Sequence, residues 1–310
     1  MPSTHNITTN YSGQAASGYL TAALLTGKSL ASGAIDIRDN IKYKEEIQVF
    51  ASDANLIKEG SCDYTPTGTL TTTAVVLEPK EFQVNLTLCA KNYRSSWESL
   101  EMQGIKSGIP KSFGDFILEH VVAKTAAAME TAIWSNTTSS TDIPFDGFEV
   151  LAAANSDVVD VTASSITADT VTTELGRVVD AIPAAVYGKD NLYIYAPTNV
   201  YQKYIRALGG FGANGQGSAG IDNQGPTWYQ GQQEIFFDGI KVLHCPGMSS
   251  NKMIAGTTDN LIFGSSLYSE LNQASVLDMS TLDGSQNARV ILRGSAAVQI
   301  GVGSDVVLYA

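Results

Sequence analysis

Residues 69–88 read TLTTTAVVLEPKEFQVNLTL, and the pattern of side chains changes halfway along this stretch. Thr69 to Leu77 is a run of mostly β-branched residues, which favours a polar strand. Pro79 breaks the run because proline has no N–H to donate to a sheet. Beyond it, apolar and polar side chains alternate strictly, and this period of two predicts a half-buried strand. The alternating apolar residues are Phe82, Val84, Leu86 and Leu88.

A partner for the first of these strands lies upstream. Residues 41–50, IKYKEEIQVF, come close to alternating, and Gly60, Pro66 and Gly68 separate them from Thr69. Two strand-like runs separated by turn residues are typical of a hairpin. The sequence therefore predicts a long, polar, two-stranded ribbon that leads directly into the half-buried strand.

One helix is predicted to be unusually long. Apolar residues recur at helical spacing from Ile109 to Ala132, and Pro110 supplies a start signal. A helix over 111–134 would extend for about 35 Å at 1.5 Å per residue. That length is uncommon in a compact enzyme subdomain.

An α/β unit follows. Thr167 is predicted to cap a second helix that Pro183 ends, because Val171, Leu175, Val178, Val179 and Ile182 form one apolar face. A strand at 192–195 and a third helix, capped by Thr198 and ended by Gly209, come next. Further strands are predicted at 240–244, 252–255, 261–263, 288–292, 296–302 and 306–309. Residues 1–35, rich in Ser, Thr, Ala and Gly, are predicted to be an extended arm.

Composition excludes several classes of function. The 310 residues carry a net charge of -12, with 19 Lys and Arg, so a basic patch for tight binding of nucleic acid or anionic membrane is not expected. No apolar run is long enough to span a bilayer.

The sequence also bears on the compartment. The apolar stretch 19–25 lacks the positive n-region of a secretory signal, since the first Lys or Arg is Lys28. Three scattered cysteines argue against a disulfide framework and favour a reducing compartment. Only 16% of residues are charged, which suggests that other subunits cover much of the surface.

Motifs of catalysis are weak. Residues 209–226, GGFGANGQGSAGIDNQGP, contain G-x-G-x-x-G, but a helix precedes the motif and Gly225-Pro226 follows it, the reverse of a dinucleotide site. His244 and Cys245 are adjacent on a predicted strand, so their side chains point to opposite faces unless Pro246 bends the chain. No ligand cluster for zinc is present. We therefore expect no catalytic residue, no cofactor and no metal site.

Aromatic residues around the Gly-rich loop indicate protein contact. Phe211, Trp228 and Tyr229 lie in a stretch from Ala207 to Ile240 that contains no basic residue, so base stacking along a nucleic acid is not favoured. Interface cores are rich in aromatic residues and poor in charge. We predict that these three residues, with Tyr64 in the ribbon, contact neighbouring subunits.

The order of these parts resembles the Hong Kong 97-type fold of tailed-bacteriophage major capsid proteins, an α+β fold. Several stretches resemble that family: CDYTPTGTLTTTAVVLEPKEFQVNLTLCAKNY (62–93), AAAMETAIW (126–134), AIPAAVYGKDNLYIYAPTNVYQKYIRAL (181–208), CPGMSSNKMIAGTTDNLIFG (245–264) and VLDMSTLDGSQNARVILRGSAAVQIGVGSDVVLY (276–309). The resemblance implies the following division: an N-terminal arm at 1–40, an extended E-loop at 41–80, a peripheral domain with a long spine helix at 81–145 and 271–310, and an axial domain at 146–270. The last strands could rejoin the axial domain. The Gly-rich loop would point toward the capsomer axis.

The resemblance also implies a function. The chain would assemble with itself, as hexamers and pentamers, into an icosahedral virion shell. That shell would enclose double-stranded DNA without sequence-specific binding or membrane contact. Portal, scaffold or cement proteins are possible further partners, and assembly would occur in the host cytoplasm. Two alternatives stay open: an encapsulin-type nanocompartment shell, and a soluble α/β enzyme that uses His244, Cys245 or the Gly-rich loop.

Overall fold

The structure is a computed structural model. It describes residues 9–12, 28–41, 43–52, 57, 59–60, 62, 68–89, 113–138, 143–208, 234–266, 273–279, 284–285 and 287–310. Within these ranges the strands form two six-stranded sheets and one two-stranded ribbon.

The stretch 69–88 is confirmed as two consecutive strands. Glu45–Ser52 (β3) pairs antiparallel with Leu70–Leu77 (β4), and these two strands are the ribbon. After Glu78 and Pro79 the chain continues as Lys80–Cys89 (β5), which leaves the ribbon and pairs with β13, Asn287–Ile300. The Pro79 break therefore marks the point where the chain enters the first sheet.

The first sheet gathers strands from both ends of the chain. Thr9–Ser12 (β1), Gln273–Asp278 (β12), β13, Leu261–Ser265 (β11) and Asp36–Arg38 (β2) lie in the order β1-β12-β13-β11-β2, with β5 also paired to β13. The sequence predicted two strands, at 288–292 and 296–302, where the structure has one. Gly294 and Ser295 do not break it, because they pair with Phe82 and Glu81 of β5 and are buried.

Part of the predicted arm belongs to the core. Lys28–Ala31 forms a short helix (α1), and Leu30, Ala34 and Ile35 are buried. β2 then pairs parallel to β11. Elements this short do not produce a detectable hydrophobic period, which is why sequence reasoning assigned the whole region to an extended arm.

The long helix is confirmed as Phe113–Ser135 (α2), 23 residues or about 35 Å. Its buried face includes Val121, Met129 and Trp134, which join a large core shared by both sheets. Phe148–Ala154 (α3) packs against α2 and β13. Gly147 permits this approach, since a Cβ there would lie 2.5 Å from the carbonyl oxygen of Trp134.

The central strands of the second sheet are buried on both faces. It contains Val159–Val161 (β6), Leu192–Ala196 (β7), Ile235–Phe237 (β8), Ile240–His244 (β9), Met253–Thr257 (β10) and Val307–Tyr309 (β14), in the order β6-β14-β10-β7-β9-β8. Side chains along β7 alternate between two cores: Ile194 faces one, while Tyr195 joins the core of α2 and α3. Strands with two buried faces have near-continuous apolar sequences, as LYIYA and MIAGT do.

Two helices cover the other face of the second sheet. Val171–Asp180 (α4) contacts β10 and β14, and Thr198–Leu208 (α5) contacts β9. The N-cap residue of α4 is Thr170, without a side-chain cap bond, and not the predicted Thr167. The hydroxyl of Thr167 accepts a hydrogen bond from the N–H of Thr170 at 3.3 Å in the turn that precedes the helix. Thr198 is the first residue of α5, and its hydroxyl hydrogen-bonds with the ring of His244.

Sheet membership crosses the predicted domain limits at β11, which lies within 146–270 but belongs to the first sheet. β14 lies within 271–310 and belongs to the second sheet, which agrees with the expectation that the last strands could rejoin that region. The chain therefore crosses between the sheets twice near its C-terminal end.

Candidate subunit-contact surface

The four predicted contact residues, Tyr64, Phe211, Trp228 and Tyr229, lie outside the described residues, as does the Gly-rich loop at 209–226. Their assignment stays a prediction. The described part of the chain presents other large apolar side chains to solvent, and three of these, Phe50, Leu70 and Val76, lie on the ribbon.

One face of the ribbon carries exposed apolar side chains, interspersed with the polar side chains of Glu46, Gln48 and Thr72. Phe50, Leu70 and Val76 are 63%, 67% and 42% exposed. The antiparallel register places them on the same face, because Phe50 pairs with Thr72, and Leu70, Thr72 and Val76 are separated by even numbers of residues. Ala74 lies on this face as well. Large apolar side chains that share one face mark a surface for contact with another chain. We call it the outer face of the ribbon.

The root of the ribbon is anchored in the first sheet. Leu77 and Ile41 are buried with Ile262 and Ala297, and Ile47 packs against this small core. Gly264 makes the packing possible, since a Cβ there would lie 2.8 Å from Cδ2 of Leu77 and 3.1 Å from Cδ1 of Ile41. The ribbon is therefore held at one end by close packing.

Ion pairs reinforce the same root. Arg38 of β2 lies 3.1 Å from Asp36 and 2.5 Å from Glu45 of β3. Glu78, between β4 and β5, lies 2.6 Å from Lys80 and 3.2 Å from Lys44. Hydrogen bonds from Lys80 and Lys44 lower the pKa of the Glu78 carboxyl. These pairs are partly exposed, so they add orientation more than stability.

A groove runs between β5 and α2. It has a volume of about 1110 Å³, and its apolar lining includes Phe82, Val84, Leu86, Val121 and Met129. Leu86, on the predicted half-buried face of β5, is exposed. Glu81, Lys124 and Arg293 also line the groove. An apolar channel with charged residues of both signs is suited to receive a protein segment.

A smaller aromatic patch lies at the β8 edge of the second sheet. Exposed Tyr187 and Phe236 line a cavity of about 470 Å³. Lys241, from β9, lies 2.5 Å from Glu234 and 5.8 Å from the centre of the Tyr193 ring. Among the described residues, this patch and the outer face of the ribbon are separate surfaces on different sheets.

The residues considered for catalysis are engaged in packing. His244 Nε2 lies 2.8 Å from Oγ1 of Thr198, and its ring stacks on Tyr201 with centres 5.1 Å apart. Cys245 is fully buried, and its N–H donates to the carbonyl of Ala196. A buried thiol is not accessible to a substrate. The described residues contain no group of three or more His, Cys, Asp or Glu side chains suited to a metal ion. They also contain no helix that is long and apolar enough to cross a membrane.

Sequence reasoning missed the outer face of the ribbon. The alternating pattern of 41–50 predicts a strand, but the face on which Phe50 lies depends on the pairing register, which the sequence does not specify. Gly264 carried no signal either, since a glycine in a strand is informative only when its neighbours across the sheet are known.

Comparison with known proteins is informative at the level of structure. No family model matches the chain, and no curated protein is similar to it in sequence. A chain from the satellite phage P4 procapsid has a TM-score of 0.58 at 8% identity, covering 94% of this chain and 97% of that chain. One from the capsid of Myoviridae phage XM1 has a TM-score of 0.57 at 11% identity, covering 92% and 91%.

A third structure, a virus-like particle from Pyrococcus furiosus, has a TM-score of 0.50 at 8% identity, with coverage of 95% and 96%. At such identities the likeness shows the fold. The chain has the α+β fold of phage capsid proteins, so the predicted resemblance is confirmed at that level, and these neighbours are structural proteins of shells.

Proposed function

We propose that the chain is the major capsid protein of a tailed phage. It assembles with itself, as hexamers and pentamers, into an icosahedral shell that encloses double-stranded DNA. The observation that carries this proposal is the outer face of the ribbon, where Phe50, Leu70 and Val76 are exposed on a two-stranded element anchored at one end. A shell protein is the class in which such a ribbon gains its missing contacts from neighbours.

The groove between β5 and α2 is the proposed receiving surface on the neighbour. The ribbon offers the exposed apolar side chains of its outer face, and the groove offers Val84, Leu86 and Met129. Burial of apolar area between copies drives association, with about 25 cal/mol gained for each Å² removed from water. Because donor and acceptor surfaces differ, the contact is heterologous, and a heterologous contact forms a ring when the rotation between copies closes.

The domain roles follow from this proposal. The first sheet and α2 would form the peripheral domain, the second sheet with α4 and α5 the axial domain, and the ribbon the E-loop. The Gly-rich loop at 209–226 would face the capsomer axis. The chain would act without catalysis or cofactor, would be located in the virion capsid, and would assemble in the host cytoplasm with portal, scaffold or cement proteins as further partners.

Net charge supports a container for DNA rather than a DNA-binding protein. A chain with a net charge of -12 repels the phosphate backbone overall and lacks the excess of basic residues that tight binding requires. A shell needs only to confine its content, so weak interaction with DNA suits the role.

Assembly of the purified full chain tests the proposal. Size-exclusion chromatography and electron microscopy are expected to show closed icosahedral particles. Phe50→Ser with Leu70→Ser is expected to abolish particles while circular dichroism stays unchanged, because both side chains are exposed in the single chain. Thr73→Ser, on the opposite face of the same ribbon, is the matched control and is expected to assemble. A double variant that assembles normally would contradict the proposed role of the ribbon.

An encapsulin-type compartment is the second candidate, and the likeness to the virus-like particle from Pyrococcus furiosus favours its consideration. Electron microscopy of particles from the native source distinguishes the two. Particles filled with DNA support the capsid, whereas small cages filled with protein cargo would replace it with the compartment.

A further inference from the structure

The chain passes between the two sheets twice, from β10 to β11 and from β13 to β14. These two connections run side by side, and the strand pairing is interrupted in both at the same position. In the second sheet β10 pairs with β14, ending with Ala255 opposite Val307. In the first sheet β11 pairs with β13, beginning with Leu261 opposite Ile300. Between these pairs, residues 256–260 face residues 301–306, so the two connections differ by one residue. We call this region the double crossover.

The backbone ladder is replaced by turns within the double crossover. Residues 258–260 and 303–305 each form a single 3₁₀ turn. A strand ladder resists bending because each residue is tied to its partner, whereas a short 3₁₀ turn lacks those cross-strand bonds. The double crossover is therefore the least constrained part of the strand pairing that joins the two sheets.

Asn260 bridges the gap. Its side-chain amide donates from Nδ2 to the carbonyl of Val302 at 2.7 Å and accepts at Oδ1 from the N–H of Val302 at 2.5 Å. The N–H of Gly301 also donates to the backbone carbonyl of Asn260 at 3.0 Å. A carboxamide has the donor and the acceptor of a peptide group, so Asn260 substitutes for the missing pair of ladder bonds. The residue is only 7% exposed, which shields these bonds from water.

The surrounding residues are shaped to fit this contact. Gly301 leaves space for Asn260, since a Cβ at 301 would lie 2.8 Å from Oδ1 of Asn260. Gly303 leaves similar space for Asn155, whose Nδ2 would lie 2.6 Å from a Cβ at that position. Asn191, the residue before β7, does not touch this contact. Its backbone carbonyl accepts from the N–H of Thr258 and its side chain donates to Asp259 at 2.7 Å, so it ties the 258–260 turn to β7 and not to residues 301–306.

We propose that the double crossover is a hinge between the two sheets and that the bidentate contact of Asn260 with Val302 locks it. The lock belongs to the single chain, so it does not depend on the proposed capsid function. In a shell, it would set the angle between the two sheets when one sequence occupies positions of different curvature.

Hydrogen exchange and spin-label distances in the full chain test the lock. Asn260→Ala is expected to accelerate exchange at the amide of Val302 by about tenfold, because this N–H loses its acceptor, Oδ1 of Asn260. Exchange within β7 is expected to stay unchanged. Asn191→Ala is the matched control, because its side-chain bond to Asp259 is exposed and does not join the two crossing strands.

The hinge itself requires a second measurement. Spin labels at Thr87→Cys in β5 and Asp180→Cys at the end of α4 report the distance between the sheets. Cys62 and Cys89 are replaced by serine, and the labelled chain is diluted into unlabelled chain. We expect a broader distance distribution for Asn260→Ala than for Asn191→Ala. Gly301→Ala, which leaves the amide present but pushes against it, is expected to broaden the distribution as well and serves if Asn260→Ala fails to fold. Equal distributions in the folded variants and the control would overturn the hinge, whether or not particles form.

Discussion

The ribbon and the second sheet are both made of β-strands, but the second sheet buries its apolar side chains within the chain, whereas the ribbon exposes several of them to solvent. All five residues of β10 are buried, and the sheet lies between two cores. In the ribbon, Leu77 is the one fully buried residue of β4, while Phe50 and Leu70 are more than half exposed. The second sheet is therefore stabilised within the chain, whereas the ribbon has apolar surface left for a partner.

This difference separates stability from assembly. A two-stranded hairpin is only marginally stable alone, because it buries little apolar area. The ribbon persists in the single chain through its root, where Gly264 admits Leu77 and where Arg38 and Glu78 form ion pairs. Changes in the second sheet should thus alter unfolding, and changes on the outer face of the ribbon should alter association.

The largest expected effect comes from the second sheet. Ile194 lies on β7, inside the sheet, and is fully buried. Ile194→Ala is expected to lower the free energy of unfolding by about 2–5 kcal/mol, because it removes buried methyl groups and leaves a cavity. Urea unfolding followed by circular dichroism measures the change.

Val76→Ala on the outer face of the ribbon is the matched aliphatic truncation. It is expected to change the free energy of unfolding of the single chain by about 0.5 kcal/mol or less, as exposed substitutions usually do. Similar losses for Val76→Ala and Ile194→Ala would show that the ribbon is already covered within its own chain, and the contrast would be lost.

A smaller effect is expected at the root of the ribbon. A Cβ at Gly264 would lie 2.8 Å from Leu77, so Gly264→Ala forces this buried side chain to move. We expect a loss of about 1–3 kcal/mol in the free energy of unfolding, typical of overpacking. Limited proteolysis is expected to cut within residues 41–78 faster than in the unmodified chain.

Gly256 in β10 is the control for this substitution. A Cβ at Gly256 would lie 3.5 Å from Val306, an ordinary contact distance, so Gly256→Ala is expected to be tolerated. If Gly264→Ala left proteolysis of the ribbon unchanged, the packing of Leu77 and Ile41 would not be what holds its root.

Sequence reasoning predicted the elements with strong periods. The ribbon strands, β5, α2 and the α4–β7–α5 unit were all predicted close to their observed limits, because each carries a sustained pattern of apolar residues. β1, β2, β6, β8 and β12 were missed. Three of them, β2, β6 and β8, have only three residues, which are too few to show a period. The return of the last strands to the second sheet was allowed for by the resemblance, but the crossing from β10 to β11 was not, because sheet pairings join residues that are distant along the chain.

The candidate surface was less predictable than the fold. Aromatic residues around the Gly-rich loop attracted attention because they are conspicuous in the sequence, whereas Phe50 and Leu70 are ordinary strand residues. Their exposure depends on what the rest of the chain leaves uncovered. The contribution of Asn260 was equally hidden, because an asparagine near a turn is usually read as a turn former.

The smallest expected effect is a dependence of the ribbon root on pH. Lys80 and Lys44 hold the pKa of Glu78 below its ordinary value of 4.5, so folding favours the ionised carboxyl. The resulting stabilisation is complete above pH 4.5 and is lost as the pH falls through the lowered pKa. Hydrogen exchange of β3 and β4, corrected for intrinsic rates, is expected to rise below this range.

Glu78→Gln is expected to remove this dependence, because the amide cannot ionise, and to leave the root equally loose at neutral and acid pH. Glu81→Gln, which changes an exposed carboxylate on β5, is the matched control and should keep the pH dependence.

Helix α4, which covers the second sheet, has an acid-sensitive group of its own. Burial raises the pKa of Glu174, but hydrogen bonds from Ser164, Tyr309 and Arg177 outweigh it and lower that pKa. If Glu78→Gln changed exchange in β14 rather than in β3 and β4, the ribbon root would be coupled to the second sheet, and the two regions could not be treated as independent.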